Sequence, residues 1–236
     1  MKKLNGIPVS SGIVFGKAFL YLEGAFPEIT RYSIGKDQTA VEIKRLNEAT
    51  GAAMEEIRRL RERADQEMSR DQAAIFEAHL MMLEDVDFQE LLLKRFKDSG
   101  LNMEWVVYDV AREMMEKMTA SPDPLFRERA VDINDVSKRL IYKLLAVKRV
   151  SLAELTGDVI LVARDLLPSE VLTMNRDHVK AIVMDMGSRT SHTAILARAI
   201  GIPAVLGLSS ATLEINDDDT LVVDANAGQV YINPGK

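Results

Sequence analysis

The chain has 236 residues, 47% hydrophobic and 28% charged, which suits one large or two modest globular cores and excludes a disordered chain. Its formal net charge of −6 argues against nucleic acid or an anionic membrane as the main partner, because neutralising a phosphate backbone takes clustered Lys and Arg. The absence of cysteine excludes disulfides, thiol catalysis and thiolate metal sites, and with no run of about 18 apolar residues and no apolar segment behind Met1 the expected location is the cytoplasm.

Residues 9–23 are Gly-rich and β-branched, which predicts one or two strands with turns at Gly12 and Gly16. From about residue 33 to 147 the pattern is helical. Asp37 is a candidate cap for a long helix whose apolar positions Val41, Leu46, Ala49, Ala53, Ile57, Leu60 and Ala64 form one stripe. A second helix is predicted from near Ser69, with Ala73, Phe76, Leu80 and Leu83 on its apolar side; shorter ones follow over residues 88–97 and 102–119. Pro122 and Pro124 break the chain, and a last helix over residues 123–146 carries Ile133, Val136, Leu140 and Leu144 in phase. Short connections predict an antiparallel bundle.

Strand-length apolar runs then appear at residues 159–163, 181–185, 204–206, 221–224 and 230–232. One helix lies among them over residues 191–200, closed by Gly201 and Pro203. The simplest architecture is an α/β domain built from both chain ends, residues 1–32 and 148–236, with an all-α helical bundle, residues 33–147, inserted into it.

The most informative run is Met186-Gly187-Ser188-Arg189-Thr190-Ser191-His192-Thr193-Ala194-Ile195-Leu196-Ala197-Arg198. It follows an apolar strand and opens a helix, with Gly187 permitting the turn and Thr190 or Ser191 available as N-cap. His192 then falls in the first helical turn, where free N–H groups and the positive dipole end favour a phosphoryl group. Arg189, Thr190 and Ser191 offer further donors, and a neutral imidazole is a nucleophile at physiological pH. By position alone, a histidine at a helix start is more often a capping or surface residue. No metal site is expected, since His79 and His178 are remote and no His-x-x-x-His pattern occurs.

Residues 187–198, followed by Gly201-Ile202-Pro203-Ala204-Val205, resemble the phosphohistidine signature of the phosphoenolpyruvate-utilising enzymes. Asp224-Ala225-Asn226-Ala227-Gly228-Gln229-Val230 with Asn233-Pro234 resembles the end of that family's swivelling phosphohistidine domain. Residues 6–13, 16–18, 75–85, 129–136 and 161–170 are similar to enzyme I of the bacterial sugar phosphotransferase system. The resemblance implies that His192 takes a phosphoryl group from phosphoenolpyruvate on its Nε2 and passes it to HPr, a small histidine phosphocarrier, with the bundle as the HPr dock. Asp71, Ile75, His79 and Met82 step by four, four and three residues and so share one helix side, apart from the side carrying Phe76, Leu80 and Leu83. Asp85 and Asp87 lie just beyond, and Met118 and Arg129 match family positions near the dock. These carboxylates would steer a basic partner that apolar side chains anchor.

Two positions depart from the family. Ser188 stands where the signature usually has Gly or Ala. Val171 replaces a Thr whose hydroxyl in many relatives holds the histidine ring, so that contact is not expected here. Enzyme I also continues into a phosphoenolpyruvate-binding barrel with Mg²⁺ ligands and a catalytic cysteine. The chain is therefore expected to be an N-terminal fragment with no cofactor of its own, monomeric where the full-length enzyme is a dimer, and reacting with phosphoenolpyruvate only through the C-terminal domain. Two other readings are the swivelling domain of a dikinase or phosphoenolpyruvate synthase, which would need a Gly-rich phosphate loop in a partner domain, and a regulatory binding module without chemistry.

Overall fold

The computed structural model describes residues 2–22, 26–67, 70–147 and 151–235. It divides into two compact units, Met1–Ala25 with Val150–Lys236, and Phe26–Arg149. The expected fold class, an α/β domain from both chain ends with an inserted helical bundle, is the one observed. Among the described residues no helix is long and apolar enough to cross a membrane.

The first unit is built on strands β1 (Lys2–Asn5), β2 (Ile7–Ser10), β3 (Ile13–Tyr21), β4 (Val159–Ala163), β5 (Val179–Met184), β6 (Ala204–Leu206), β7 (Thr220–Asp224) and β8 (Gln229–Ile232). They form one sheet in the order β1-β8-β7-β3-β4-β5-β6-β2, in which β3 to β6 run parallel and the flanking pairs antiparallel. Only Gly6 separates β1 from β2, yet these strands occupy opposite edges, so the sheet is rolled and its edges meet at this residue. Gly6 N–H donates to the Gly228 carbonyl at 2.8 Å. A Cβ on Gly6 would stand 2.7 Å from the Leu206 oxygen, and one on Gly228 2.6 Å from the Gly6 oxygen. Closure of the roll therefore requires glycine at both points.

Alternation along each strand sends residues to two cores. Ile160, Val162, Val183, Val205, Val223 and Val230 join one cluster; Leu161, Ala163, Ile182 and Met184 join another with Ala194 and Ala197. Helices α6 (Pro168–Thr173), α7 (His192–Ile200) and α8 (Ala211–Glu214) complete the unit. Gly12, with φ of 146°, makes the expected break between β2 and β3, but Gly16 sits inside β3 opposite Leu221. Pairing with β7 there, and with β4 from the next residue, Lys17, outweighs glycine's weak strand preference.

The second unit packs α1 (Thr39–Glu67), α2 (Arg70–Glu84), α3 (Val86–Ser99), α4 (Met103–Thr119) and α5 (Pro124–Leu145). The expected stripe on α1 is buried at Leu46, Ala49, Ala53, Ile57 and Ala64. Leu60 is only half-buried, Val41 is exposed, and Asp37 lies in a short 3₁₀ turn ahead of α1. Glu42 is buried instead of Val41 because Arg45 neutralises it. The Arg45 guanidinium donates to Glu42 and to Glu104, both under 6% exposed, and to the Leu144 carbonyl at 2.9 Å. Glu42 Oε2 also accepts the Met103 N–H at 3.2 Å, and Asn102 Nδ2 donates to Glu104 at 3.0 Å. This knot joins α1, α4 and α5.

Arg95 and Lys117 grip Glu113 at 2.5 and 2.6 Å, joining α3 to α4 and bracing α4 itself. The Arg95 hydrogen bond, followed by that of Lys117, holds the Glu113 carboxyl at about 2 against an ordinary 4.5. Because the folded value is depressed, this contribution to stability is present above pH 4.5 and fades as the pH falls towards 2. A carboxyl-resolved NMR titration should find Glu113 ionised at pH 3, and Arg95→Gln should return its midpoint towards 4.5.

Candidate functional site

The candidate site forms where β5 ends. Asp185 N–H pairs with the Ala163 carbonyl at 3.1 Å and Met186 N–H with the Arg164 carbonyl at 2.9 Å, so the loop leaves beside the end of β4. Gly187 turns the chain with φ of 106°, a conformation that suits glycine, and a Cβ there would stand 3.0 Å from Leu206 Cδ1. Ser191 is the N-cap of α7: its backbone is extended, its hydroxyl accepts from the Ala194 N–H at 3.3 Å and donates to the Ser188 carbonyl at 3.0 Å. His192 is the first helical residue and is exposed, with no hydrogen bond to its ring among the described residues. Gly201 closes the helix in the left-handed region, as its Gly-Ile-Pro sequence predicts.

The four residues expected at this site lie together in sequence and space but play different parts. The Ser191 hydroxyl is committed to the cap, so it is not a spare donor for an anion. The Thr190 hydroxyl lies 3.2 Å from that of Ser188. Arg189 is exposed, its carbonyl accepting from Arg198 at 3.0 Å and its guanidinium directed to no described partner. Val171 is fully buried in α6, in the same apolar cluster as Ala194 and Ala197, and offers no hydroxyl.

One buried contact escaped the sequence reading. Thr193 Oγ1 donates to the Leu166 carbonyl at 3.2 Å, tying the first turn of α7 to the segment between β4 and α6. That segment is anchored in turn by Glu170, whose carboxylate accepts the Leu167 N–H at 2.7 Å and the Tyr21 hydroxyl at 2.8 Å. A threonine beside the histidine carries no local signal for this, since the acceptor is 27 residues away; the Leu-Pro-x-Glu sequence does hint at a helix start with a reciprocating glutamate.

In the helical unit, the expected partner face is not one exposed side. Ile75 and Met82 of α2 are half-buried, but His79 is fully buried, edge-on to Phe76. The packing of α2 against α5 covers it, and its Nε2 lies 3.5 Å from Asp132 of α5. Asp132 also accepts from the exposed Arg129 at 3.2 Å, so His79 and Arg129 come together around a carboxylate absent from the sequence-based set. Asp85 caps α3, accepting the N–H groups of Asp87 and Phe88, and both aspartates are exposed. Met118 is half-buried on α4, and the side chain of Asp71 lies outside the described residues. Among the described residues no His, Asp and Glu group could hold a metal ion.

Comparison with known proteins gives one consistent result. Residues 5–129 match the family described as PEP-utilising enzyme, N-terminal, and residues 155–228 match PEP-utilising enzyme, mobile domain. A Haemophilus influenzae phosphoenolpyruvate-protein phosphotransferase is 38% identical over 98% of the chain, and one from Staphylococcus carnosus 34% over 99%. The chain spans about 40% of the length of these relatives. A solution structure of Enzyme I superposes with a TM-score of 0.82 at 37% identity, covering 99% of this chain and 94% of that one. A structure described as the N-terminal domain of Enzyme 1 - Nitrogen does so at 0.67 and 26%, covering 98% and 94%.

Proposed function

The chain belongs to the PEP-utilising enzyme family, and from that membership we propose that it is the phosphohistidine-carrying part of a phosphoenolpyruvate-protein phosphotransferase, relaying a phosphoryl group between His192 and the histidine of HPr. The observation that carries the reading is the placement of His192. It is exposed, its ring makes no hydrogen bond among the described residues, and it begins a capped helix outside the carboxyl ends of two parallel strands, where α/β sheets bind their ligands.

In the exchange, a ring nitrogen of neutral His192 attacks phosphorus in line with the departing nitrogen of phospho-HPr; one P–N bond forms as the other breaks. The ring's other nitrogen keeps its proton, so no external base is needed. In this reading the free peptide N–H groups of the first turn of α7 and the guanidinium of the exposed Arg189 would meet the phosphoryl oxygens. With phosphoenolpyruvate as donor, the bond broken is the P–O bond to the enolate. In this reading that step, with the Mg²⁺ expected for it, would fall to the part of the longer relatives that this chain does not span.

The helical unit supplies the partner's dock in this reading. Asp85, Asp87 and Arg129 give it charge, and Met82 with Ile75 gives it apolar surface. Relatives named as phosphotransferases match across the whole bundle as well as the α/β unit, which favours this reading over a dikinase domain. Incubating the chain with ³²P-phospho-HPr tests it: label should move onto the chain reversibly, and back to HPr when unlabelled HPr is added.

A further inference from the structure

We propose that Thr193 is a positioning residue for phosphoryl transfer: through the buried hydrogen bond to the Leu166 carbonyl it holds the first turn of α7, and with it His192, in the reactive orientation. The inference rests on His192 being the phosphoryl acceptor. His192 and Thr193 are consecutive on the helix, a little over a quarter-turn apart, and the first is exposed while the second is 4% exposed.

Within the loop, the Ser191 and Ser188 bonds only fasten the loop to itself. The Thr193 hydroxyl reaches outside it, to a carbonyl 27 residues away, in a site where water cannot replace it. The acceptor is itself held. Glu170 takes the next N–H, at Leu167, and receives the hydroxyl of Tyr21, the last residue of β3. Tyr21 is paired with Ala163, the last residue of β4. The result is a continuous buried path from the ends of two sheet strands to the turn that carries the nucleophile. With no hydrogen bond to the ring itself among the described residues, its aim is inherited from the backbone beneath it. A loose first turn would leave docking intact and lower the fraction of encounters in which nitrogen and phosphorus are in line.

Thr193→Val keeps shape and removes the hydroxyl. In exchange with phospho-HPr, kcat should fall roughly ten- to a hundred-fold while KM stays within about two-fold, because misaimed groups lose rate without losing the dock. Amide hydrogen exchange at residues 192–195 should quicken in the unphosphorylated protein, and Thr193→Ser should restore both properties. Tyr21→Phe, which loosens the anchor one step further back, should move both in the same direction by less. Wild-type kcat and wild-type amide exchange in Thr193→Val would overturn the proposal, as would a serine variant no better than valine. Should the wild-type chain take no label on His192, the functional reading fails instead, and the amide-exchange arm still decides whether Thr193 holds the turn.

Discussion

Alanine at His192 should abolish phosphoryl exchange with phospho-HPr while leaving the fold intact. The ring is exposed and makes no hydrogen bond among the described residues, so its removal costs nothing in packing, and alanine is the better helix former. Stability should change by no more than about 0.5 kcal/mol, the ordinary range for a surface substitution. Transfer, by contrast, would lose its proposed nucleophile. The chain has three histidines. His79 is sealed between α2 and α5, and His178 is held by Asp158 at 3.0 Å before β5, at the opposite end of that strand from the α7 loop. Label incorporation should fall to background in His192→Ala and stay at the wild-type level in His178→Ala. Affinity for HPr should be kept in His192→Ala, since the proposed dock lies in the other unit. A variant that still exchanges phosphate would remove His192 from the mechanism.

The largest stability effect should come from Arg45. Its guanidinium neutralises two carboxylates, Glu42 and Glu104, that are 5% and 2% exposed, and it closes the Leu144 carbonyl at the end of α5. Arg45→Met keeps most of the aliphatic volume but leaves both carboxylates buried without their cation. Breaking such a buried arrangement from one side costs about 3–5 kcal/mol. Urea unfolding of the bundle should show that loss in its midpoint at unchanged slope. Adding Glu42→Gln and Glu104→Gln should recover a large part of it, since a neutral amide can still accept the Met103 and Asn102 donors. A loss below about 1 kcal/mol in the single variant would show that water, and not Arg45, satisfies these carboxylates.

The contrast between the two units explains which features could be read from the sequence. Strands β4 and β6 match their predicted bounds, because strands covered on both faces read as unbroken apolar runs. Helix α7 begins one residue after its predicted cap for the same kind of reason: Gly187, Ser191 and Gly201 each mark a local backbone event. Strand β1 was not legible. Only Leu4 of its four residues is buried, and it exists because Gly6 brings the segment to the open edge beside β8. Helices α6 and α8, of six and four residues, are too short for periodicity to show.

At the candidate site, the place of His192 in the first turn of α7 followed from local signals, whereas burial of His79 did not. Spacing along α2 groups His79 with Ile75 and Met82, but which part of that side meets α5 depends on a helix about 50 residues further along. Asp132 was invisible for the same reason. Thr193 shows the general case: its hydroxyl matters only through a partner chosen by the folded sheet.

Whether His192 carries the phosphoryl group is decided by mapping the phosphate after exchange. The intact chain is mixed with ³²P-phospho-HPr, separated, and its modified residue identified. Label is expected on His192 alone, stable in base and lost in acid, as a phosphoramidate requires. Acid-stable label, or label on a serine, threonine or another histidine, would contradict it.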